Sequence, residues 1–295
     1  MRARVLRGIA AAVALAALAA GCSSTKTPPP EVTVTGEPGL APTIQFAAPL
    51  SITSATTEVI AEGTGDPLED GGPVLVNFYA ESATDGSLIN ETYSSEPRAY
   101  SLSEELLGVD IYHALHGQRA GSRILNIVPP RDGEPAGTVA VFDILPTRAQ
   151  GEPVPPREGL PTVELADDGE PTVTVPADAP APTDLVVQPL VRGTGPQVTA
   201  GQVITVQYVG VTWSDGKVFE SSWDDGQLPV SFPIGVQSVL EGWDAGLVEQ
   251  TVGSQVLLVV PPAMGYAGSP NVLANETLVY VVDILSAVGG PGDAS

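Results

Sequence analysis

Few residues in this chain have the types and spacing that acid-base, nucleophilic or metal chemistry requires. The sequence has two histidines, His113 and His116, and one cysteine, Cys22. The HALH spacing would place both imidazoles on one face of a helix, but a zinc site needs further nitrogen or sulfur ligands. We therefore expect solvated histidines and no metal. The stretch DDG at 224–226 predicts a turn, because calcium needs more oxygen ligands at defined spacing.

Trp243 is the more unusual residue, since it lies between two helix-weakening glycines in the stretch LEGWDAGL. An aromatic residue at helical spacing is most often part of a core. Ser238 and Glu241 have the spacing of a capping box, which predicts that the helix begins at Ser238. Val239, Trp243 and Leu247 then share one apolar face of that helix.

Strands are predicted on both sides of this helix. Residues 203–208 alternate between apolar and polar types, residues 256–260 are all apolar and stop at two prolines, and residues 277–285 form a last apolar run. The high content of glycine (32) and proline (29) is typical of β-structure with many turns. The predicted fold class is α+β, with an antiparallel sheet packed on a single short helix.

Two regions of the chain repeat each other in order. GTG at 63–65 recurs at 193–195, and the DG that ends a strand at 85–86 recurs at 215–216, both 130 positions later. GS followed by ILNIVPP matches GS followed by VLLVVPP at an offset of 132, and VFDIL matches VVDIL at an offset of 140. Four anchors in one order indicate a duplicated domain.

The N-terminal 22 residues have the pattern of an export signal. Three arginines precede an apolar stretch at 8–20 that is too short to span a bilayer, and the segment ends in LAAGC. This ending resembles the lipobox of bacterial lipoproteins, which implies lipidation of Cys22. The alternative is an ordinary signal peptide that is cut nearby.

Charge and composition suggest the remaining organisation. The formal net charge of −23 argues against nucleic-acid binding. Segments rich in proline and small or acidic residues predict a tether and a linker. The predicted segments are a signal at 1–22, a tether at 23–41, a first domain at 42–146, a linker at 147–170, a second domain at 171–288 and a tail at 289–295.

The second domain resembles the FKBP-type peptidyl-prolyl cis-trans isomerases. The motifs that carry the resemblance are VQYVG, SDGKVFESS, FPIG, VLEGWDAGL, VPPAMGYAG and ETLVYVVDIL, in the order of the family and over nearly the whole domain. The family fold is a curved antiparallel sheet wrapped around a short helix. The resemblance implies an apolar pocket that binds a peptide at an X-Pro bond, without cofactor or metal.

The resemblance also implies which residues form that pocket. Trp243 matches the floor, and the Leu240 N–H and Tyr266 hydroxyl match groups that hydrogen-bond the ligand. The predicted catalytic residues are Tyr208, Phe219, Glu220, Phe232, Val239, Leu240, Trp243 and Tyr266. The predicted further substrate-binding residues are Val230, Val272 and Tyr280.

Some positions depart from the family pattern. Glu220 replaces an aspartate, Val230 stands where an aromatic residue is common, and Ala267 replaces a glycine. The first domain departs further, because it has Ile111 in place of the tryptophan and a shorter loop where Tyr266 would lie. We expect it to keep the fold and lack the active site.

The resulting functional prediction is an exported isomerase of X-Pro bonds, held by a lipid on the outer face of the cytoplasmic membrane. The expected partners are proline-containing polypeptides and, through Cys22, the membrane, with the protein a monomer. The alternatives are a non-catalytic chaperone or interaction lipoprotein of the same fold, and a purely structural lipoprotein. The degenerate first domain would bind unfolded clients or act as a spacer.

Overall fold

The computed structural model describes residues 31–131, 133, 136–177 and 179–290. The predicted signal peptide, Cys22 and the end of the tail lie outside these residues. Within them, no helix is both long and apolar enough to cross a membrane.

The first half of the described chain consists mainly of strands with two short helices. A hairpin comes first, followed by the strands and helices of a larger sheet. The elements are β1 (Val32–Thr35), β2 (Thr43–Phe46), β3 (Thr56–Ala61), β4 (Pro73–Ser82), β5 (Leu88–Glu91), β6 (Arg98–Ser101), α1 (Glu104–Leu107), α2 (Val109–Leu115), β7 (Arg123–Val128) and β8 (Thr138–Leu145).

The second half repeats this layout with one additional strand at its start. Its elements are β9 (Gly151–Pro153), β10 (Thr162–Leu165), β11 (Pro171–Thr174), β12 (Val186–Gly193), β13 (Val203–Thr212), β14 (Val218–Ser221), β15 (Val230–Pro233), α3 (Glu241–Leu247), β16 (Gln255–Val260) and β17 (Leu278–Val288). A 3-10 turn at Pro262–Met264 follows β16.

The two large sheets have the same strand order and are antiparallel. The first runs β3-β7-β8-β4-β5, and the second runs β9-β12-β16-β17-β13-β14. A bulge between Val59 and Ala61 in β3 recurs between Pro189 and Val191 in β12, 130 residues later. The predicted class, an antiparallel sheet packed on short helical segments, agrees with this architecture.

Helix α3 packs closely on β16 because it carries glycines on the contact side. A Cβ atom at Gly242 would lie 2.6 Å from Val260 Cγ1, and one at Gly246 would lie 2.6 Å from Leu258 Cδ2. Both distances are too short for a side chain, so glycine is required for this approach. Trp243 and Leu247, on the predicted apolar face, are buried in the same core.

The predicted start of this helix is wrong. Its N-cap residue is Leu240, without a side-chain cap, and the Ser238 hydroxyl is not the capping group. Asp244 has the organising role instead, because its carboxylate accepts hydrogen bonds from the N–H groups of Gly235 at 2.6 Å and Gln237 at 2.7 Å. A charged acceptor within the helix fixes the preceding loop more firmly than a neutral hydroxyl would.

The structure also differs from the predicted tether and linker. The predicted tether (23–41) ends within the β1–β2 hairpin. The predicted linker (147–170) contains β9 and ends within the β10–β11 hairpin. Each hairpin has one face of alternating apolar residues, which packs on the outer face of the sheet that follows it. The inner strands of each sheet are apolar on both faces, and this hairpin covers the second face.

Candidate active site

Trp243 is the centre of an aromatic cluster between α3 and the second sheet. Its side chain is 5% exposed. Its ring lies edge-on to those of Tyr208, Tyr280 and Phe232, with centroid distances of 5.1, 5.3 and 5.8 Å and interplanar angles of 90°, 89° and 85°. Edge-to-face pairs at these distances are favourable beyond their burial. The cluster therefore fixes the indole as a rigid floor.

Neighbouring strands supply the other rings because their register aligns them. Tyr280 of β17 lies opposite Gly210 of β13, and the Tyr280 ring meets Phe219 of β14 at 5.6 Å. A Cβ atom at residue 210 would lie 2.7 Å from Phe219 Cζ and 2.9 Å from Tyr280 Cε1. Glycine at this position is what allows the two rings to meet across the strand.

The buried hydroxyls of Tyr208 and Tyr280 stay protonated. Burial, followed by the nearby Glu220 carboxylate, raises the pKa of Tyr208 above its ordinary value. Burial is also the largest cause of the raised pKa of Tyr280, with Tyr266 and Glu220 contributing. These hydroxyls remain hydrogen-bond donors over the whole physiological pH range, next to a carboxylate on an exposed residue.

Two N–H groups near the aromatic floor have no hydrogen-bond acceptor among the residues that the structure describes. Leu240, at the N-cap of α3, uses its carbonyl to accept from the N–H groups of Trp243 and Asp244, at 2.9 and 3.1 Å. Its own N–H donates to none of the described residues, as expected at a helix N-terminus. The buried Nε1 of Trp243 also has no partner among the described residues.

Most of the predicted site residues gather around this floor, but one does not. Phe219, Val230, Phe232, Val239, Leu240 and Tyr266 are partly buried against the core that contains Tyr208, Trp243 and Tyr280. Val272 is 96% exposed and does not pack against this cluster, so its predicted place in the pocket wall is wrong. The next residue, Leu273, packs on the core instead, as does Met264.

Sequence reasoning missed Asp244, Leu273 and Met264. The signal for Asp244 was an acidic residue one turn into the helix, within reach of the loop before it. For Leu273 and Met264 no periodic pattern was available, because both lie in irregular segments after β16. Tyr266 lies in the same segment, where its carbonyl accepts from the Ser269 hydroxyl at 2.7 Å.

The corresponding place in the first sheet has no such floor. Ile111 occupies the position of Trp243, and Ala140 occupies that of Tyr280. Its inner core contains a pair of aromatic rings, Phe78 and Phe142, with centroids 6.2 Å apart. His116 is the C-cap residue of α2 and its Nε2 lies 3.5 Å from Asp70 Oδ1, while the His113 and Tyr112 rings lie 5.5 Å apart and are tilted by 59°.

Comparison with known proteins matches the part of the chain that holds the aromatic cluster. The family model for FKBP-type peptidyl-prolyl cis-trans isomerases matches residues 195–285. An FK506-binding protein of Streptomyces anulatus is 36% identical over 121 residues, which are 40% of this chain and 96% of that protein. A probable FK506-binding protein of Corynebacterium glutamicum is 37% identical over 120 residues, or 40% and 98% of the two chains.

Among solved structures, the crystal structure of AtFKBP13 is 30% identical and has a TM-score of 0.32. The match covers 36% of this chain and 94% of that one.

Proposed function

The chain belongs to the FKBP-type peptidyl-prolyl cis-trans isomerases, and we propose that it acts on X-Pro bonds of exported proteins through the pocket above Trp243. The observation that carries this proposal is the set of three rings held edge-on around that buried indole. Such an arrangement offers a proline ring a rigid apolar seat. The Leu240 N–H and the Tyr266 hydroxyl would hold the carbonyls on either side of it.

The chemistry needs no nucleophile and no proton relay. Rotation about a peptide bond has a barrier near 18–20 kcal/mol, which is set by amide resonance. X-Pro bonds interconvert over tens of seconds or more, slowly enough to limit folding. The twisted transition state has lost resonance, so its carbonyl carries less charge than the planar amide. An apolar pocket therefore favours the twisted form, and fixed donors to the neighbouring carbonyls would hold the substrate in that geometry.

The first sheet, by this proposal, belongs to a degenerate copy of the same domain. Matched strand order, matched bulges and the covering hairpin support the duplication. Ile111 and Ala140 in place of aromatic residues leave that copy without a floor for proline, which favours a binding or spacing role.

The location is a further part of the proposal. An arginine-rich start, a short apolar run and LAAGC suggest export and lipidation at Cys22. The protein would then meet its clients as a monomer outside the cytoplasmic membrane. Lipidation is tested by expressing the original protein and the Cys22→Ser variant with a radiolabelled fatty acid. Label on the original protein alone supports lipidation at Cys22, and label on both proteins or on neither contradicts it.

The catalytic proposal is tested with a proline-isomerisation assay on the whole protein. Trp243→Ala should lower kcat/KM by at least tenfold, because the floor is lost. Ile111→Ala, at the matching position of the first copy, should leave kcat/KM unchanged. Equal loss in both variants would contradict the assignment of the active site to the second half, and no acceleration by the original protein would leave the alternative of a non-catalytic chaperone or interaction module.

A further inference from the structure

The outer edges of the two large sheets are protected differently. In the second sheet, β9 pairs antiparallel with the end of β12, with Gly151 opposite Gly193, Glu152 opposite Arg192 and Pro153 opposite Val191. The Val154 N–H extends this pairing with a 2.8 Å hydrogen bond to the Leu190 carbonyl. The strand thereby covers the edge of β12.

The matching strand of the first sheet has no such cover. β3 pairs with β7 on one side, and no strand of the described residues pairs with its other side. Val59 and Ile60 are 39% and 38% exposed. Ile60 corresponds to Leu190, which packs against the covered core of the second sheet. An exposed edge with free backbone groups is a template for another strand.

A second protective device is also missing from β3. Pro189 stands in β12 where β3 has Val59, in the same register beside the bulge. Proline has no N–H and blunts the edge of a sheet. With Val59 in its place, the backbone of β3 can pair over its whole length.

We propose that the outer edge of β3 binds an extended polypeptide segment by antiparallel strand addition, in the manner in which β12 binds β9. Strand addition uses backbone hydrogen bonds for affinity and side chains for selection. The interaction is separate from the pocket above Trp243 and gives the first copy a role of its own.

Charge identifies the kind of partner. Residue Arg192, which faces Glu152, is replaced at the matching position of the first sheet by Glu62. Opposite charges directly across a strand pair are favourable and like charges are not. The partner segment therefore carries lysine or arginine where β9 carries Glu152. A second copy of this protein is disfavoured, since each chain has a net charge of −23.

Close packing defines the residue before that basic position. A Cβ atom at Gly151 would lie 2.0 Å from the Arg192 carbonyl oxygen, so β9 requires glycine there. The segment that fits β3 consequently reads glycine, basic residue, then an extended chain that tolerates proline at the position of Pro153. Flexible segments of basic, proline-containing polypeptides have this chemistry.

The test measures binding of two fluorescein-labelled peptides, AQGKPVTVTV and AQGEPVTVTV, to the whole protein by anisotropy. The first six residues of each peptide copy residues 149–154, except that the first peptide has lysine in place of Glu152. This lysine or glutamate would lie opposite Glu62. The lysine peptide should bind about 2- to 5-fold more tightly. Glu62→Arg should reverse this order. An unchanged order in Glu62→Arg would overturn the proposal.

Two further variants separate backbone pairing from other contacts. Val59→Pro places a proline where β12 has Pro189 and should lower the affinity for the lysine peptide at least threefold. Val59→Thr keeps the backbone N–H, and its affinity for this peptide should stay within twofold of that of the original protein. Trp243→Ala should leave the affinity unchanged, and loss of binding in this variant would assign the peptide to the pocket and contradict the proposal.

Hydrogen exchange identifies what occupies the edge. The amides of residues 56–61 on the outer side should exchange faster without peptide and slow down when it binds. Full protection without peptide in a monomer would mean that another part of the chain covers the edge, and protection that grows with protein concentration would mean a second copy. Either result overturns the proposal.

Discussion

The backbone N–H of Ala149, just before β9, donates a 2.7 Å hydrogen bond to the buried carboxylate of Asp283 in β17. Gln255 donates a second one at 2.8 Å. In the first sheet the matching carboxylate, Asp143, is paired with Arg123 instead, at 2.6 and 2.7 Å. Each carboxylate ties a preceding segment to its sheet, since Asp143 also accepts from the Gly39 N–H at 2.7 Å. Among the described residues, a cation contacts Asp143 but not Asp283.

Asp283 should make stability depend on pH. Burial raises its pKa from 3.8 to about 6, against the opposing hydrogen bonds. Because the folded value is raised, the stabilising form is the protonated one. Its contribution is complete below about pH 3.8 and is lost as pH rises through 6, to an extent on the order of 3 kcal/mol.

Asp283→Asn removes the titrating group and tests this pH dependence. Because asparagine keeps only one of the two acceptors, the absolute stabilities differ, but urea unfolding followed by tryptophan fluorescence should show the variant gaining stability relative to the original between pH 4 and pH 7.5. All three tryptophans lie in the second half of the chain, so the signal reports that half. A difference that does not change with pH would contradict the assignment.

Arg123→Ala should destabilise the first half by about 3–5 kcal/mol, because it leaves Asp143 buried without its partner. It also removes the donors to the carbonyls of Gly36 and Leu40, at 2.8 and 2.6 Å. Arg123→Gln, which copies Gln255, should cost less. Urea unfolding by circular dichroism should show the loss while tryptophan fluorescence shifts little; equal shifts in both signals would refute a local role.

Asp244→Ala should lower kcat/KM by about tenfold, since bonds to a charged acceptor contribute about 1.5–3 kcal/mol. The loss frees the loop at Gly235 and Gln237 and with it the Leu240 N–H. Asp244→Asn keeps one acceptor and should lose less. Glu241→Gln in the same helical turn serves as the control, and an equal loss there would point to charge rather than to loop positioning.

Gly246→Ala should destabilise the second half by about 1–3 kcal/mol through overpacking against Leu258. Ala245→Ser, on the exposed side of the same helix, should stay within about 0.5 kcal/mol. Unfolding midpoints by tryptophan fluorescence compare the two. Equal midpoints would mean that the helix can shift away from β16 without cost.

Local sequence patterns predicted the repeated layout and the strand types, and the resemblance to a known family predicted the aromatic floor. The rings at 208, 219, 232, 243 and 280 are separated along the chain, but the motifs of a known family place them together.

Local sequence patterns predict the wrong start for helix α3. Ser238 and Glu241 have the capping spacing, yet the competing acceptor, Asp244, lies inside the helix and reaches back to a loop whose path no local pattern specifies. The family motifs predict Val272 in the pocket wall, but the irregular segment after β16 has no period that decides which neighbouring residue faces inward.

The sequence by itself determined which residues can form strands, which half carries the aromatic cluster and where the repeat lies, because these depend on residue types at fixed spacing. Only the tertiary structure showed that hairpins occupy parts of the predicted tether and linker, and that Asp244 fixes the loop before α3. It also showed that β9 pairs with the outer edge of β12, whereas no strand of the described residues pairs with the outer edge of β3. Those features arise from pairing between distant segments, where a surface is buried only after the chain has folded.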